Sequence, residues 1–244
     1  TSTDFDAPIV VTTDSTTAGG LSINAIDGSS STSLSGLTLK ALNGSTVVSP
    51  TSTVAYDLIN TNGLTEAQVA TALGLDGVSI LSFNPYAAGV DADTALAVEK
   101  VASQVMTTVK TFSTAALGSG ANAEDAANQA FDSIVTVLQS KASSSETLNF
   151  ANTTDLTSVE TQAKSKLASL SGIDTTSFNT TLDTAMESVK LVNDVINNIT
   201  DTDLTSNANK GVFAAADHLK TQTKTAATAE KATPGSGNQH ITMN

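Results

Sequence analysis

The chain of 244 residues contains no arginine, no cysteine and no tryptophan. Without cysteine it has no thiol nucleophile, no zinc-thiolate site and no disulfide. All 11 of its cationic side chains are lysines, and 24 acidic residues outnumber them, which gives a formal net charge of −13. Proteins that bind phosphates or nucleic acids rely on arginine and on a positive field. The composition therefore argues against nucleic acids, acidic polymers and anionic membrane surfaces as partners.

Long apolar runs are also missing. No run approaches the ~18 residues of a membrane-spanning helix, and no basic segment followed by an apolar stretch marks a signal peptide. The hydrophobic share is nonetheless 39%, and only 14% of the residues are charged, so the chain has enough apolar residues for a sizeable core. Acidity, low charge density and abundant Thr, Ser and Asn favour a secreted or cell-surface bacterial protein. Because the chain begins at Thr1 rather than Met, we expect a mature product or a piece of something longer.

The first fifty residues have the alternation and the turn signals of short β-strands. Four segments share this character: residues 9–13, 21–26, 33–42 and 45–49. Gly, Asn and Asp separate them, which is typical of antiparallel connections. The pattern predicts a small antiparallel β-region over about residues 9–49. The C-terminal tail alternates again at Gln239, Ile241 and Met243, which predicts a further strand.

Pro50 marks the change from strand-like to helical spacing. Proline has no amide hydrogen for a strand ladder, but its fixed φ suits the first turn of a helix. Apolar residues then recur at helical spacing in successive segments: 51–59, 65–73, 93–116, 122–142, 155–170, 175–199 and 203–229. The predicted fold class is α+β, with the small β-region packed on an antiparallel helical bundle. The predicted division is a β-rich segment at 1–50, the bundle at 51–229 and a linker or terminal strand at 230–244.

Three stretches resemble a recurrent module of very large bacterial surface proteins with RTX-type or cadherin-like repeats. In that module a β-rich segment leads through a proline into a short helix, a second helix ends in Leu-Gly-Leu, and an Asp-Pro or Asn-Pro turn follows. The stretches are STVVSPTSTVAYDLI (45–59), GLTEAQVATALGL (63–75) and LSFNPYAAG (81–89). The resemblance covers roughly residues 37–140 and includes no catalytic residues.

The chain departs from this module at two places. Ser52, Thr53 and Val54 stand where Thr-Thr-Leu is usual, and Asn84 stands where Asp often precedes the proline. The resemblance implies extracellular placement and a scaffold or adhesive role, and it implies nothing about a ligand.

No arrangement of residues predicts a catalytic reaction. The two histidines, His218 and His240, lie in a predicted helix and in the tail. The motifs of metalloproteases, serine hydrolases and nucleotide-binding proteins are missing. Serine and threonine are abundant, but a hydroxyl without a neighbouring base is not a nucleophile. We therefore expect no enzymatic activity and no organic cofactor.

Calcium is the one ion for which the sequence offers ligands. Aspartates separated by one residue occur three times: Asp4 and Asp6, Asp91 and Asp93, and Asp201 and Asp203. Carboxylate oxygens are typical calcium ligands, and the first pair lies where a linker would lead into the β-region. We therefore name Asp4 and Asp6 as candidate calcium ligands. The other two pairs precede predicted helices, where capping explains them.

Three functions remain open. The chain is interpreted first as a non-catalytic structural or adhesive module whose partners are other modules. The alternative is a self-assembling subunit of a filament or surface layer that pairs with copies of itself through terminal strands. The residues expected to make such contacts are Phe5, Ile9, Val11, Ile241 and Met243. The third is a carbohydrate- or peptide-binding domain that uses the loop from Phe83 to Tyr86, although a chain without tryptophan has few platforms for sugars.

The charge predicts which partners the chain avoids. With a net charge of −13 and no arginine, it is expected not to bind DNA, RNA or anionic lipid vesicles at physiological ionic strength, because like charges repel. Gel-shift and vesicle co-sedimentation assays measure this directly. Micromolar, salt-sensitive binding to any of the three would contradict the prediction.

Overall fold

The computed structural model describes residues 9–12, 17–18, 21–22 and 37–241. Helix dominates it at 65%, while the short strand at Thr38–Ala41 accounts for 2%. Within the described ranges, no helix combines the length and the apolar character that crossing a membrane requires.

Seven α-helices follow one another along the described chain: α1 Pro50–Tyr56, α2 Glu66–Ala72, α3 Ala92–Gly118, α4 Ala123–Ser143, α5 Thr153–Leu167, α6 Thr175–Asn197 and α7 Asn207–Ala232. A π-helical turn, Asp57–Thr61, continues α1, and a 3-10 helix, Gly237–His240, follows α7. The strands are β1 Ile9–Thr12, β2 Thr17–Ala18, β3 Leu21–Ser22 and β4 Thr38–Ala41. The helices lie close to the positions that the apolar spacing predicts.

Each of these α-helices begins at a residue whose side chain accepts a hydrogen bond from a backbone N–H of the first turn. The capping residues are Ser49, Thr65, Asp91, Asn122, Asn152, Asp174 and Ser206. The first N–H groups of a helix have no partner within the helix, so a side-chain acceptor here stabilises it by about 1 kcal/mol. Thr65 and Gln68 form a reciprocal cap at the start of α2. Much of the Ser, Thr, Asn and Asp content thus fixes where helices start.

Helix α3 lies at the centre of the bundle and packs against α1, α4, α6 and α7. Its apolar side chains include Val105, Val109 and Phe112, which are fully buried. The outer helices present single apolar stripes, such as Phe178, Leu182 and Val189 of α6. The core is therefore arranged around α3, and the remaining helices contribute one face each.

Helix α3 also buries an unusual number of polar groups, among them four threonines. Each hydroxyl donates to the carbonyl oxygen four residues earlier, at 2.9 Å for Thr107, 2.9 Å for Thr108, 2.8 Å for Thr111 and 2.6 Å for Thr114. A buried hydroxyl without a partner destabilises a protein by about 1–3 kcal/mol. Because the acceptors belong to α3 itself, these four hydroxyls are buried without requiring polar partners on neighbouring helices.

Lysines connect the outer helices. Lys141 of α4 lies 2.9 Å from the carboxylate of Asp155 in α5 and 3.2 Å from Glu146 in the connection between them. Lys166 of α5 reaches back to Asp132 of α4 at 2.6 Å. These pairs are partly exposed, so they orient the two helices more than they stabilise them.

The predicted α+β fold class is wrong. The protein is mostly helical, and the described strands form two separate short pairs rather than one antiparallel β-region. Strand β4 pairs with β1 over four residues, and β2 pairs with β3 over two. Residues 45–49, predicted as a strand, form no strand, because Ser49 caps α1 and Ser45 closes a turn onto Leu42. Short β-branched stretches favour strands locally, but without further partners they do not make a sheet.

The predicted C-terminal strand is also not found in the described part of the tail, which ends at Ile241. Gly237–His240 is a 3-10 helix that packs against α7 and α6. The carboxylate of Glu230 fixes this turn, since it accepts the N–H groups of Gly235 at 2.8 Å and Gly237 at 2.9 Å. Those two bonds lower the pKa of Glu230. Glu230 therefore holds the segment that follows α7 against the end of that helix.

The contact between α3 and α7 predicts opposite effects for two Gly→Ala changes. At Gly118 an added Cβ would lie 2.7 Å from both the Ala227 Cβ and the Lys224 carbonyl oxygen of α7, so Gly118→Ala is expected to destabilise by about 1–3 kcal/mol. At Gly211, also helical, an added Cβ would meet no neighbouring atom within 4 Å. Gly211→Ala is therefore expected to stabilise the protein by about 0.5–1 kcal/mol. Urea unfolding measures both, and a stabilising Gly118→Ala would contradict the close helix contact.

Candidate functional site

A joint between strand β4 and helix α1 tightly connects the N-terminal ladder to the bundle. The backbone N–H of Lys40 donates to Thr53 Oγ1 at 3.0 Å, and Ser52 Oγ donates to the Lys40 carbonyl oxygen at 2.9 Å. Ser52 also forms the reciprocal cap with Ser49. The first turn of α1 therefore supplies hydrogen bonds that a neighbouring strand would otherwise provide.

A charged pair closes the same joint. Lys40 Nζ lies 3.3 Å from the Asp57 carboxylate and 5.6 Å from the centre of the Tyr56 ring. Burial raises the pKa of Asp57, and the nearby ammonium of Lys40 partly offsets this rise. Strand and helix are thus joined by backbone, hydroxyl and ionic contacts within two turns of α1.

A small apolar crevice lies beside the joint. It has a volume of about 240 Å³ and is lined by residues 47–51, the loop at 83–86 and one face of α3. The loop begins at Phe83, which packs against the core, and Tyr86 is 43% exposed. Asn84 Oδ1 accepts the N–H of Tyr86 at 3.0 Å, which fixes the turn. The aromatic loop expected to bind a ligand therefore forms one wall of this crevice.

Glu99 is a buried acid in the wall of the crevice. It is 6% exposed, and Ser103 Oγ donates to its carboxylate at 3.1 Å. The apolar spacing of α3 gives no role to this residue, so sequence reasoning missed it. The sequence feature that could have indicated Glu99 is the pair of charges, Glu99 and Lys100, between the apolar residues Val98 and Val101.

A larger groove lies along another face of α3 and has a volume of about 750 Å³. The end of α2, residues 147–150 and residues 197–200 form its other walls. Lys100 lines this groove and donates from Nζ to the carbonyl oxygen of Asn197, at 3.1 Å, at the end of α6. Burial lowers the pKa of Lys100. No feature of the sequence predicted this groove, because its walls come from four separate segments.

The terminal residues expected to make contacts fall mostly outside the described ranges. Phe5 and Met243 lie outside them, as do the candidate calcium ligands Asp4 and Asp6, so calcium binding stays a prediction. Ile9 and Val11 belong to β1, whose Cα partners in β4 are Ala41 and Leu39. Ile241 is half-buried and packs against the core. The structure therefore pairs β1 with a strand of its own chain.

The other aspartate pairs serve helix starts and turns. Asp91 caps α3 by accepting from the N–H of Thr94 at 2.8 Å and its hydroxyl at 2.7 Å, which lowers the pKa of Asp91. Asp203 accepts both donors of Thr205, which lowers its pKa too. Helix α7 starts later than predicted and is capped by Ser206 rather than by Asp203. Among the described residues no group of three potential metal ligands comes together.

The two histidines lie apart from these features. His218 is an exposed residue of α7, and His240 is exposed at the end of the 3-10 helix.

Comparison with protein-family models, curated proteins and solved structures gave no match to this chain. Its function is therefore inferred from its own residues and geometry.

The joint predicts a measurable loss when one hydroxyl is removed. Thr53→Val keeps the shape of the side chain but leaves the Lys40 N–H without its acceptor, so the free energy of unfolding is expected to fall by about 1–3 kcal/mol. Thr161→Val is the matched control, because its exposed hydroxyl donates only to the carbonyl oxygen of Thr157 in its own helix, and a change within about 0.5 kcal/mol is expected. Chemical denaturation measures both variants. If the free energy of unfolding falls equally in Thr53→Val and Thr161→Val, the hydrogen bond to Thr53 does not hold the joint.

Proposed function

We propose that the chain is a non-catalytic structural module of an extracellular bacterial protein. The observation that carries this proposal is the joint between β4 and α1. Side-chain hydrogen bonds and an ion pair hold β4 against α1. They therefore fix the direction in which the chain enters the helical bundle. A module that spaces or orients its neighbours requires such a fixed direction, whereas a flexible linker would leave it free.

The residues that carry the family resemblance have backbone roles in the structure. Pro50 is the first residue of α1, where its missing N–H is not needed. Gly74 follows α2 with a φ of +71°, which favours glycine, and Asn84 holds the turn before Pro85. Such roles support a recurrent building unit more than a binding or catalytic motif.

The composition supports an extracellular location. Ser, Thr, Asn and Asp cap helices and cover the outer faces, and the net charge is −13. An acidic surface of hydroxyl and amide groups stays soluble and avoids association with membranes and nucleic acids. Calcium binding by Asp4 and Asp6 belongs to this proposal as a separate expectation.

Antibody labelling of the source cells tests the location. An antibody raised against the purified chain is expected to label intact cells or the culture medium, with no increase when the cells are made permeable. A cytosolic protein of the same cells serves as the control and is labelled only after permeabilisation. Labelling of this chain only after permeabilisation would overturn the extracellular proposal.

A further inference from the structure

The groove along α3 combines an apolar floor with two opposite charges on its α3 wall. Its apolar lining includes Leu75, Leu96, Val101, Leu148 and Ile199. Its α3 wall also contains Asp93 near the start of the helix and Lys100 further along. Apolar walls with a few oriented polar groups are typical of ligand sites.

Asp93 and Lys100 are spaced like the two ends of a short peptide. Seven residues of α-helix are about two turns, so the two positions share a face and lie about 10.5 Å apart along the axis. An extended tripeptide spans about 10–11 Å. The separation of its ammonium and carboxylate groups therefore matches the spacing of these two oppositely charged positions on the α3 wall.

The ammonium group of Lys100 has enough N–H donors to bind a carboxylate as well. Its described partner is the Asn197 carbonyl oxygen, a neutral acceptor, and an ammonium group has three hydrogens. Burial of this cation beside a neutral acceptor is reflected in its lowered pKa. A bound carboxylate would supply the missing opposite charge and a charge-assisted hydrogen bond.

The rim also offers groups that suit a peptide backbone. The groove is also lined by Asn149, Asn197 and Thr200, residues whose amide and hydroxyl groups both donate and accept. Gln104 is held in place because its Nε2 donates to the carbonyl oxygen of Asn193 at 3.1 Å. The wall therefore combines fixed polar groups with apolar contacts.

We propose that the groove along α3 binds a short apolar peptide with free ends, its ammonium group at Asp93 and its carboxylate at Lys100. An internal segment of a longer chain lacks both terminal charges, and a simple anion makes no use of the apolar floor. This proposal does not depend on where the chain is located, and it places peptide binding away from the loop at 83–86.

Calorimetric titration of the full chain with three tripeptides tests the proposal. Trileucine is expected to bind saturably, whereas trileucine amide and N-acetyl-trileucine each lose one terminal charge and bind at least about tenfold more weakly. No saturable binding of trileucine, or equal binding of all three, would overturn the proposal. Because these titrations use the unaltered protein, they do not depend on how any variant folds.

Two variants then test which residue binds which end of the peptide. Lys100→Met is expected to remove the preference for the free carboxylate over the amide, and Asp93→Asn the preference for the free amine over the acetyl form. Lys224→Met, at an exposed lysine of α7, and Asp125→Asn, in the first turn of α4, are matched controls that keep both preferences. Unchanged preferences in correctly folded Lys100→Met and Asp93→Asn, judged by circular dichroism, would overturn the assignment of the two ends.

Discussion

A threonine-rich helix lies at the centre of the bundle, and the packing of the other helices depends on how its hydroxyl groups are satisfied away from water. Thr107, Thr108, Thr111 and Thr114 each donate to a carbonyl oxygen of α3 itself. Because these four hydroxyls are satisfied within the helix, α4, α6 and α7 pack against it largely through apolar side chains, and Gln104 adds a buried polar contact to Asn193 of α6. Because four helices pack on α3, the bundle is expected to fold as a unit.

The same principle explains how an acidic chain uses its polar residues. Side chains of Ser, Thr, Asn and Asp cap the seven described α-helices, and Asp203 and Glu230 fix turns. Hydrogen bonds to a carboxylate hold it in its charged form, which is why the pKa values of Asp91 and Asp203 fall through hydroxyl and backbone N–H donors and that of Glu230 through backbone N–H donors. An aspartate pair before a helix is therefore more readily explained by capping than by calcium.

Two neighbouring residues of α3 line two different cavities, which lie on different sides of this helix. Glu99 lines the crevice beside the joint, and Lys100 lines the groove. Successive residues of an α-helix point about 100° apart, so adjacent charges in the sequence meet different neighbours. Burial of a charged group needs a polar partner, and each of the two has one: Ser103 for Glu99, and the Asn197 carbonyl oxygen for Lys100.

The helices and the start of α2 were predictable from the sequence because their causes are local. A cap such as Thr65 binds an N–H only three residues away, and the apolar stripe of α3 repeats within a single helix. The strand predicted at residues 45–49 was wrong because its signal was also only local. A local preference does not show whether a second strand is present to accept the hydrogen bonds. Only the tertiary structure decided that the N–H of Lys40 bonds to Thr53 and that Lys100 faces a groove. These contacts join residues far apart in the chain, and their formation depends on how whole helices pack.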